Sequence, residues 1–108
     1  MSDQDPVRSR LRSQAQAGNL RVTQHAQQEM AEEEFTLDDA LHVIMNGEVL
    51  ENYPEHRRGA CCLLNGRTRA GRPLHVVCST ATPKVIIVTV YEPRAPKWET
   101  PTQRGRSR

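Results

Sequence analysis

Aromatic residues are scarce in this chain, which has one Phe, two Tyr and one Trp among 108 residues. Proteins that bind single-stranded nucleic acid by stacking interleave aromatic side chains with successive bases. The four aromatics Phe35, Tyr53, Tyr91 and Trp98 are too few for that arrangement. The composition therefore argues against an aromatic stacking platform.

Cysteine motifs and long apolar runs are also missing. Cys61 and Cys62 are adjacent and Cys78 stands apart, so neither a CxxC spacing nor an even disulfide framework is present, and we interpret all three as buried thiols. No apolar run approaches the roughly 18 residues of a membrane span, and the N-terminus lacks the apolar centre of a secretory signal. We therefore expect a soluble, cytoplasmic protein with no membrane partner.

Several sequence signatures of catalysis are absent as well. The chain has no Gly-rich phosphate loop, no Ser/His/Asp ordering and no carboxylate cluster of the two-metal nuclease type. The sequence thus predicts neither a cofactor nor a metal. A nuclease of this composition would use the ribose 2′-hydroxyl as nucleophile, which would restrict its substrate to RNA.

Charge is separated into blocks along the chain. Residues 23–55 carry nine acids and no Lys or Arg, whereas residues 56–108 carry eleven Lys and Arg against two acids. A concentrated positive field attracts polyanions such as RNA. The alternative is a helical hairpin with a solvated acidic face beside basic loops.

Helix signals are concentrated in the first half of the chain. Asp5–Pro6 opens a first helix that Gly18 ends, and Thr23 is the N-cap of a second helix over 24–33. Thr36 and Asp39 form a capping-box pattern for a third helix, which Asn46–Gly47 ends with a left-handed cap. Its apolar positions have helical spacing. They are Leu37, Ala40, Leu41, Ile44 and Met45.

The second half has the period and composition of strands. Four are predicted, at Val49–Tyr53, Gly59–Leu64, Leu74–Cys78 and Val85–Tyr91. Leu20–Val22 is also extended. Short polar connections favour antiparallel neighbours, so the sequence predicts one α+β domain over residues 1–100. In it, three N-terminal helices pack on one face of a four-stranded antiparallel meander. Residues 101–108 are predicted to be a basic, disordered tail.

Three residues are candidates for acid–base chemistry. His25 falls in the first turn of the second helix, where the dipole disfavours the imidazolium and leaves a ring that can accept a proton. A hairpin centred near residues 68–69 would place His75 opposite Cys62, on one face with Val77. Tyr91 ends the last strand, on a face shared with Val85, Ile87 and Thr89 in this prediction. Each has an alternative. His25 could simply hydrogen-bond the loop after Val49, and the Tyr91 phenol could be purely structural. His75 could belong to a Cys/His zinc site, although no third or fourth ligand has suitable spacing.

Motifs spread along the chain resemble the prokaryotic domain-of-unknown-function family 4258. They are His25-Ala26 with Met30, Phe35-Thr36-Leu37-Asp38-Asp39, Asn46-Gly47-Glu48-Val49-Leu50-Glu51-Asn52-Tyr53-Pro54, Gly71-Arg72-Pro73-Leu74-His75-Val76-Val77 and Val88-Thr89-Val90-Tyr91-Glu92-Pro93. The resemblance covers about residues 7–98. It implies similarity to RelE-like toxins of the BrnT and MqsR kinds, which are small metal-independent ribonucleases. It also implies a zinc-ribbon partner protein of the antitoxin type.

One departure from the family pattern moves the expected phosphate contacts. Family members commonly carry arginines after the helix histidine, where this chain has Gln28, Glu32 and Glu33. Phosphate binding is therefore assigned to arginines later in the chain, because paired guanidinium groups fork onto phosphate oxygens. These are Arg57, Arg58, Arg67, Arg69 and Arg72.

Three hypotheses follow for the function. The first is a toxin-like ribonuclease in which His25 or His75 is the base or acid and Tyr91 supplies a hydroxyl. The second is a non-catalytic module that binds RNA or a partner protein through its basic face. The third is a small domain that homodimerises, because both faces of the Gly59–Leu64 and Val85–Tyr91 strands are apolar and need a cover.

Overall fold

The computed structural model describes residues 6–56, 59–80, 84–95 and 97–105. The helices are α1 (Pro6–Gln16), α2 (Gln24–Glu33) and α3 (Leu37–Asn46). The strands are β1 (Leu20–Val22), β2 (Glu48–Tyr53), β3 (Cys61–Arg67), β4 (Pro73–Ser79), β5 (Val85–Tyr91), β6 (Trp98–Thr100) and β7 (Gln103–Arg104). Arg57 and Arg58 lie outside the described residues.

The predicted starts of α2 and α3 are confirmed. The Thr23 hydroxyl accepts a hydrogen bond from the Ala26 N–H at 3.1 Å. At α3 the capping box is reciprocal. The Asp39 N–H donates to the Thr36 hydroxyl at 3.1 Å, and the Thr36 N–H donates to the Asp39 carboxylate at 2.9 Å. These bonds satisfy backbone donors that the first helical turn leaves unpaired.

The predicted left-handed cap at the end of α3 is wrong. Gly47 is extended, with φ −82° and ψ −171°. The left-handed residue is instead Glu34, with φ 61°, which ends α2. Gly47 is needed for a different reason, because a Cβ there would lie 2.5 Å from the Asn65 carbonyl oxygen and 2.6 Å from that of Val43.

The sheet has five strands in the order β1-β5-β4-β3-β2. The α+β class is confirmed, and β2 to β5 form the predicted antiparallel meander. The prediction of a purely antiparallel, four-stranded sheet is wrong, because β1 adds at the edge parallel to β5 with Leu20 opposite Val85. Three residues give a weak sequence signal, and their pairing with a strand 65 positions later is set by tertiary packing.

The three helices cover one face of this sheet. Their apolar side chains form a common core with alternate residues of the strands. The sheet contributes Cys62, Leu64, Leu74, Val76, Cys78, Val85, Ile87 and Val90. Cys62 and Cys78 are buried and Cys61 is half-buried, all as free thiols.

The opposite face of the sheet carries His75 and Tyr91. His75 is fully buried there, in direct register with Tyr91 on β5 and with Asn65 on β3. The predicted pairing of His75 with Cys62 is wrong, since Cys62 pairs with Cys78. The hairpin turn is centred on Ala70, because β3 continues to Arg67 before it turns.

The predicted face of Tyr91 is wrong, because β5 contains a β-bulge. The register between β4 and β5 shifts after Val77, which pairs with Thr89, whereas Cys78 pairs with Ile87. The extra residue on β5 reverses the alternation of side chains. Ile87 therefore faces the helices, and Tyr91 faces away from them together with His75.

Residues 97–105, which include part of the predicted tail, fold back on that second face. Strands β6 and β7 form a two-stranded hairpin with Trp98 opposite Arg104. Trp98 is buried, and its indole packs edge-on against the His75 ring at 4.5 Å between centroids. Residues 106–108 lie outside the described part of the chain. Among the described helices, none is both long and apolar enough to cross a membrane.

Candidate functional site

Of the five arginines predicted to bind phosphate, the three that the structure describes, Arg67, Arg69 and Arg72, all contact other parts of the protein. The Arg72 guanidinium lies 3.8 Å from the centre of the Phe35 ring and donates to the Glu92 carboxylate at 3.0 Å. It also donates to the carbonyl oxygens of Glu33 and Glu34, where α2 ends. Arg72 thus caps a helix with its positive charge, and it holds the pKa of Glu92 below its usual range.

Arg69 and Arg67 lie on the β3–β4 hairpin in different surroundings. Arg69 contacts Asp38 on α3 at 3.4 Å, with both side chains about 70% exposed. Such an exposed pair is weak and opens at little cost. Arg67 donates to the Gly71 carbonyl oxygen at 2.9 Å and has no carboxylate partner among the residues that the structure describes. Of this hairpin's arginines, Arg67 is therefore the one without an ion pair among the described residues.

Arg67 lines a polar cleft of about 580 Å³ at the β2–β3 side of the molecule. The walls come from the end of α3, the stem of the β3–β4 hairpin, α1 and the turn between β6 and β7. The lining residues are Arg8, Asn46, Gly47, Glu48, Asn65, Gly66, Arg67, Pro73, Thr100, Pro101 and Thr102. By formal charge, the described lining residues include two cations, Arg8 and Arg67, and one carboxylate, Glu48.

Asn65 lies on the cleft side of β3, and only one of the two polar atoms of its side-chain amide has a hydrogen-bond partner among the described residues. Its Nδ2 donates to the Glu48 carboxylate at 3.2 Å. That bond fixes the orientation of the amide, because in a flipped amide Oδ1 would face the Glu48 carboxylate, and both oxygens are acceptors. The Oδ1 atom is buried without a hydrogen-bond partner among the described residues. A small rearrangement would offer a bound molecule this acceptor.

The fully buried His75 and the half-buried Tyr91 form a hydrogen-bonded pair next to the cleft. The Tyr91 hydroxyl lies 3.1 Å from Nδ1 of His75, and the Pro101 carbonyl oxygen lies 2.7 Å from Nε2. Burial lowers the pKa of His75 and raises the pKa of Tyr91. Both groups therefore stay neutral, and both ring nitrogens of His75 are engaged inside the protein.

The third predicted catalytic residue, His25, lies on the other side of the sheet. Its ring is on α2, 65% exposed, with Nε2 at 3.3 Å from the Glu29 carboxylate. The other oxygen of Glu29 accepts the backbone N–H of Val90 at 2.8 Å, which holds the carboxylate in place. Since α2 packs on the helix-covered face next to β5, the structure does not bring His25 together with His75, Tyr91 or the cleft.

Most of the cleft is not evident from the sequence. The local pattern places Asn65 in a loop, and it places Thr100 and Thr102 at the end of the domain and in a disordered tail. One available signal is Trp98, the single Trp of the chain, since a lone large aromatic marks an anchored segment. Within the described ranges, no three His, Cys, Asp or Glu side chains are placed to hold a metal ion.

The fold and the cleft define a small α+β domain with a polar groove that Arg67 lines. A family model described as "Domain of unknown function (DUF4258)" matches residues 22–92, about two thirds of the chain. The chain therefore belongs to that family, as its sequence motifs indicate. No curated protein and no solved structure matches it.

Proposed function

We propose that this chain is a toxin-like RNA-binding protein that takes an RNA segment into the cleft beside Arg67. The observation that carries the proposal is Arg67, which lines a ligand-sized cleft and has no carboxylate partner among the described residues. A volume of about 580 Å³ lies within the range of small-molecule sites and suits a nucleotide.

The chemistry of the cleft walls supports an RNA ligand. A nucleotide presents phosphate oxygens as acceptors and ribose hydroxyls and base edges as donors and acceptors. Arg67 supplies donors to phosphate, and the hydroxyls of Thr100 and Thr102 serve in either role. With only four aromatics in the chain, recognition would rest on these polar contacts rather than on base stacking.

Salt-dependent binding tests this proposal. Fluorescently labelled single-stranded RNA is titrated with the full chain at several salt concentrations, and the affinity is measured by anisotropy. Replacing Arg67 by Gln should weaken binding and reduce the slope of log K against log salt by about 0.7, the contribution of one phosphate contact on a single strand. Arg21→Gln is the matched control, because Arg21 is exposed on β1 at the opposite edge of the sheet. Equal slopes for the two variants, or no binding by the wild type, would refute the proposal.

Cleavage is a separate part of the proposal, and His25 is the residue that fits it best. Because His25 lies on the other side of the sheet from the Arg67 cleft, the RNA segment that it cuts would lie on a different surface from the segment held in the cleft. Its ring is exposed and oriented by Glu29, as a general base requires. In that reaction His25 takes the proton of a 2′-hydroxyl, and the 2′-oxygen attacks the adjacent phosphorus. The bond to the 5′-oxygen breaks and that oxygen takes a proton from water, leaving a 2′,3′-cyclic phosphate. His75 and Tyr91 have no step in it, because both ring nitrogens of His75 are hydrogen-bonded inside the protein and the Tyr91 hydroxyl is bonded to His75.

The cleavage half has its own test. Total RNA is incubated with the chain in the presence of a chelator, and the product ends are analysed. We expect 2′,3′-cyclic phosphate ends that disappear with His25→Gln but not with Gln28→Ala, a control at an exposed position on the same helix. Intact RNA in every reaction, combined with salt-dependent binding, would refute the nuclease hypothesis and support the non-catalytic binding module.

The toxin–antitoxin part of the proposal concerns a partner protein. We propose that a zinc-ribbon protein of the antitoxin type binds this chain and blocks the cleft. Co-expression of the chain with its genomic neighbour should give a stable complex and relieve any growth arrest that the chain causes alone. A measured mass of two copies of this chain, with no heteromeric complex, would instead support the homodimer.

A further inference from the structure

The turn between β6 and β7 forms one wall of the cleft, and a single side chain ties it to the sheet. Thr100, Pro101 and Thr102 all line the cleft. Within the described residues, the one hydrogen bond from this turn to the sheet joins the Pro101 carbonyl oxygen to Nε2 of His75 at 2.7 Å. The Thr102 N–H donates to the Thr100 hydroxyl at 3.3 Å, so that bond stays inside the turn.

The protonation state of His75 follows from its two partners. A carbonyl oxygen only accepts hydrogen bonds, so Nε2 must carry the proton. In the neutral ring Nδ1 is then an acceptor, and the Tyr91 hydroxyl, 3.1 Å away, donates to it. A continuous chain of hydrogen bonds therefore runs from the end of β5 through β4 to the wall of the cleft.

The other contacts of the hairpin hold its base rather than its turn. Trp98 packs edge-on against the His75 ring, and Arg104 donates twice to the Glu51 carboxylate, at 2.9 and 2.7 Å. The Arg104 guanidinium also lies 4.7 Å from the centre of the Trp98 ring. Trp98 and Arg104 are each three residues away from Pro101. The contact that holds the turn itself is therefore the hydrogen bond from His75 to the Pro101 carbonyl oxygen.

We propose that His75 is a positioning residue for the cleft, acting through Pro101 to present the hydroxyls of Thr100 and Thr102 to a bound ligand. That the ligand is RNA rests on the proposed function. The assignment differs from a catalytic role, since the ring is fully buried and both nitrogens are engaged.

Two substitutions at this position separate the role from simple packing. In His75→Gln the amide nitrogen lies where Nε2 was and still donates to the Pro101 carbonyl oxygen. In His75→Asn the shorter amide lies where Nδ1 was, so it reaches Tyr91 but not Pro101. Both variants lose the aromatic ring. We expect the Asn variant to bind RNA roughly three- to tenfold more weakly than the Gln variant, the size of one lost hydrogen bond.

Hydrogen exchange without RNA tests the same idea independently of the ligand. The Thr102 amide should exchange faster in His75→Asn than in His75→Gln, while amides of β3 exchange equally in the two. Equal exchange of Thr102 and equal RNA affinity would overturn the proposal. Failure of the wild type to bind any RNA would refute the proposed function, and the exchange rates would still decide the role of His75.

A variant of the wall itself covers the case in which both His75 variants unfold. Thr100 and Thr102 are exposed, so Thr100→Val with Thr102→Val should leave the fold intact while removing both hydroxyls. Weaker RNA binding by this double variant is expected. Wild-type affinity would show that the wall does not contact the ligand, and the positioning role would fall with it.

Discussion

At the residue scale, Gly47 is needed because two backbone segments meet at its Cα. The chain leaves α3 there and enters β2, and the Gly47 N–H donates to the Val43 carbonyl oxygen at 2.7 Å. Gly66 on β3 faces the same point, since a Cβ on it would lie 3.3 Å from the Gly47 Cα. Asn46–Gly47 suggests a left-handed turn from sequence, but the close approach depends on packing that a local pattern does not contain.

Gly47→Ala should destabilise the protein by about 1–3 kcal/mol, because the atoms that the new methyl group would meet belong to rigid backbone. Gly18→Ala is the comparison. Gly18 has φ 82° and nothing within 4 Å of the position that a methyl group would take. Gly18→Ala should therefore cost only the strain of an alanine in left-handed backbone, about 1 kcal/mol. Urea denaturation measures both. A smaller loss at Gly47 than at Gly18 would contradict this explanation.

At the element scale, α2 replaces the missing length of strand β1. β1 pairs with β5 only as far as Val22 opposite Ile87. Beyond that point side chains from α2 or its cap complete the hydrogen bonding of β5. The Thr23 hydroxyl donates to the Val88 carbonyl oxygen at 3.0 Å. Glu29 and Glu33 accept the N–H groups of Val90 at 2.8 Å and Glu92 at 3.0 Å.

The spacing of these glutamates matches the strand. Four helical residues rise about 6 Å, and two strand residues rise about 6.6 Å, so carboxylates at i and i+4 reach alternate N–H groups. Part of the acidic block therefore has a structural role. The sequence could predict α2 and β5 separately, from their caps and apolar periods. It could not predict this pairing, because the acceptors are side chains 59 to 61 positions away.

Glu29→Ala should destabilise the protein by about 1–3 kcal/mol, because the Val90 N–H loses its acceptor at a half-buried site. Glu29→Gln keeps an amide oxygen there and should cost less than about 1 kcal/mol. Glu32→Ala is the matched control. Glu32 is exposed on the same helix, and its loss should change stability by less than about 0.5 kcal/mol. Similar losses for Glu29→Ala and Glu32→Ala would exclude the strand-completing role.

At the scale of the whole molecule, the charge blocks of the sequence compensate each other. Glu33 on α2 lies 3.8 Å from Arg94, and Asp38 on α3 lies 3.4 Å from Arg69. Glu51 on β2 accepts two hydrogen bonds from Arg104 near the end of the chain. Composition predicts a broad cationic surface. Among the described residues, Arg69, Arg72, Arg94 and Arg104 are paired with carboxylates, whereas Arg67 at the cleft is not. Which charges pair is decided by the topology of the sheet and by the C-terminal hairpin.

The free energy of unfolding should depend on pH in two stages, the first from the buried His75 and the second from carboxylates paired with arginines. Burial lowers the pKa of His75 below its ordinary value of 6.5. His75 is therefore protonated in the unfolded chain at a pH at which it is still neutral in the folded chain. Stability therefore falls as the pH drops below about 6.5, until His75 is also protonated in the folded protein. Arg104 lowers the pKa of Glu51, and Arg72 lowers that of Glu92, from an ordinary value of 4.5. Their contributions are present above about pH 4.5 and are lost below it.

Urea denaturation across the pH range should separate the two stages. His75→Gln should abolish the loss of stability that begins below about pH 6.5 and keep the loss below about pH 4.5, because only the first stage comes from the imidazole. The other charged or titratable groups around His75 are Tyr91, Glu51, Arg104 and Lys97. Among these only Glu51 titrates in acid, and the lowering of its pKa by Arg104 keeps it ionised through the first stage. An unchanged first stage in His75→Gln would mean that an exposed histidine, and not the buried ring beneath the hairpin, sets the response to mild acid.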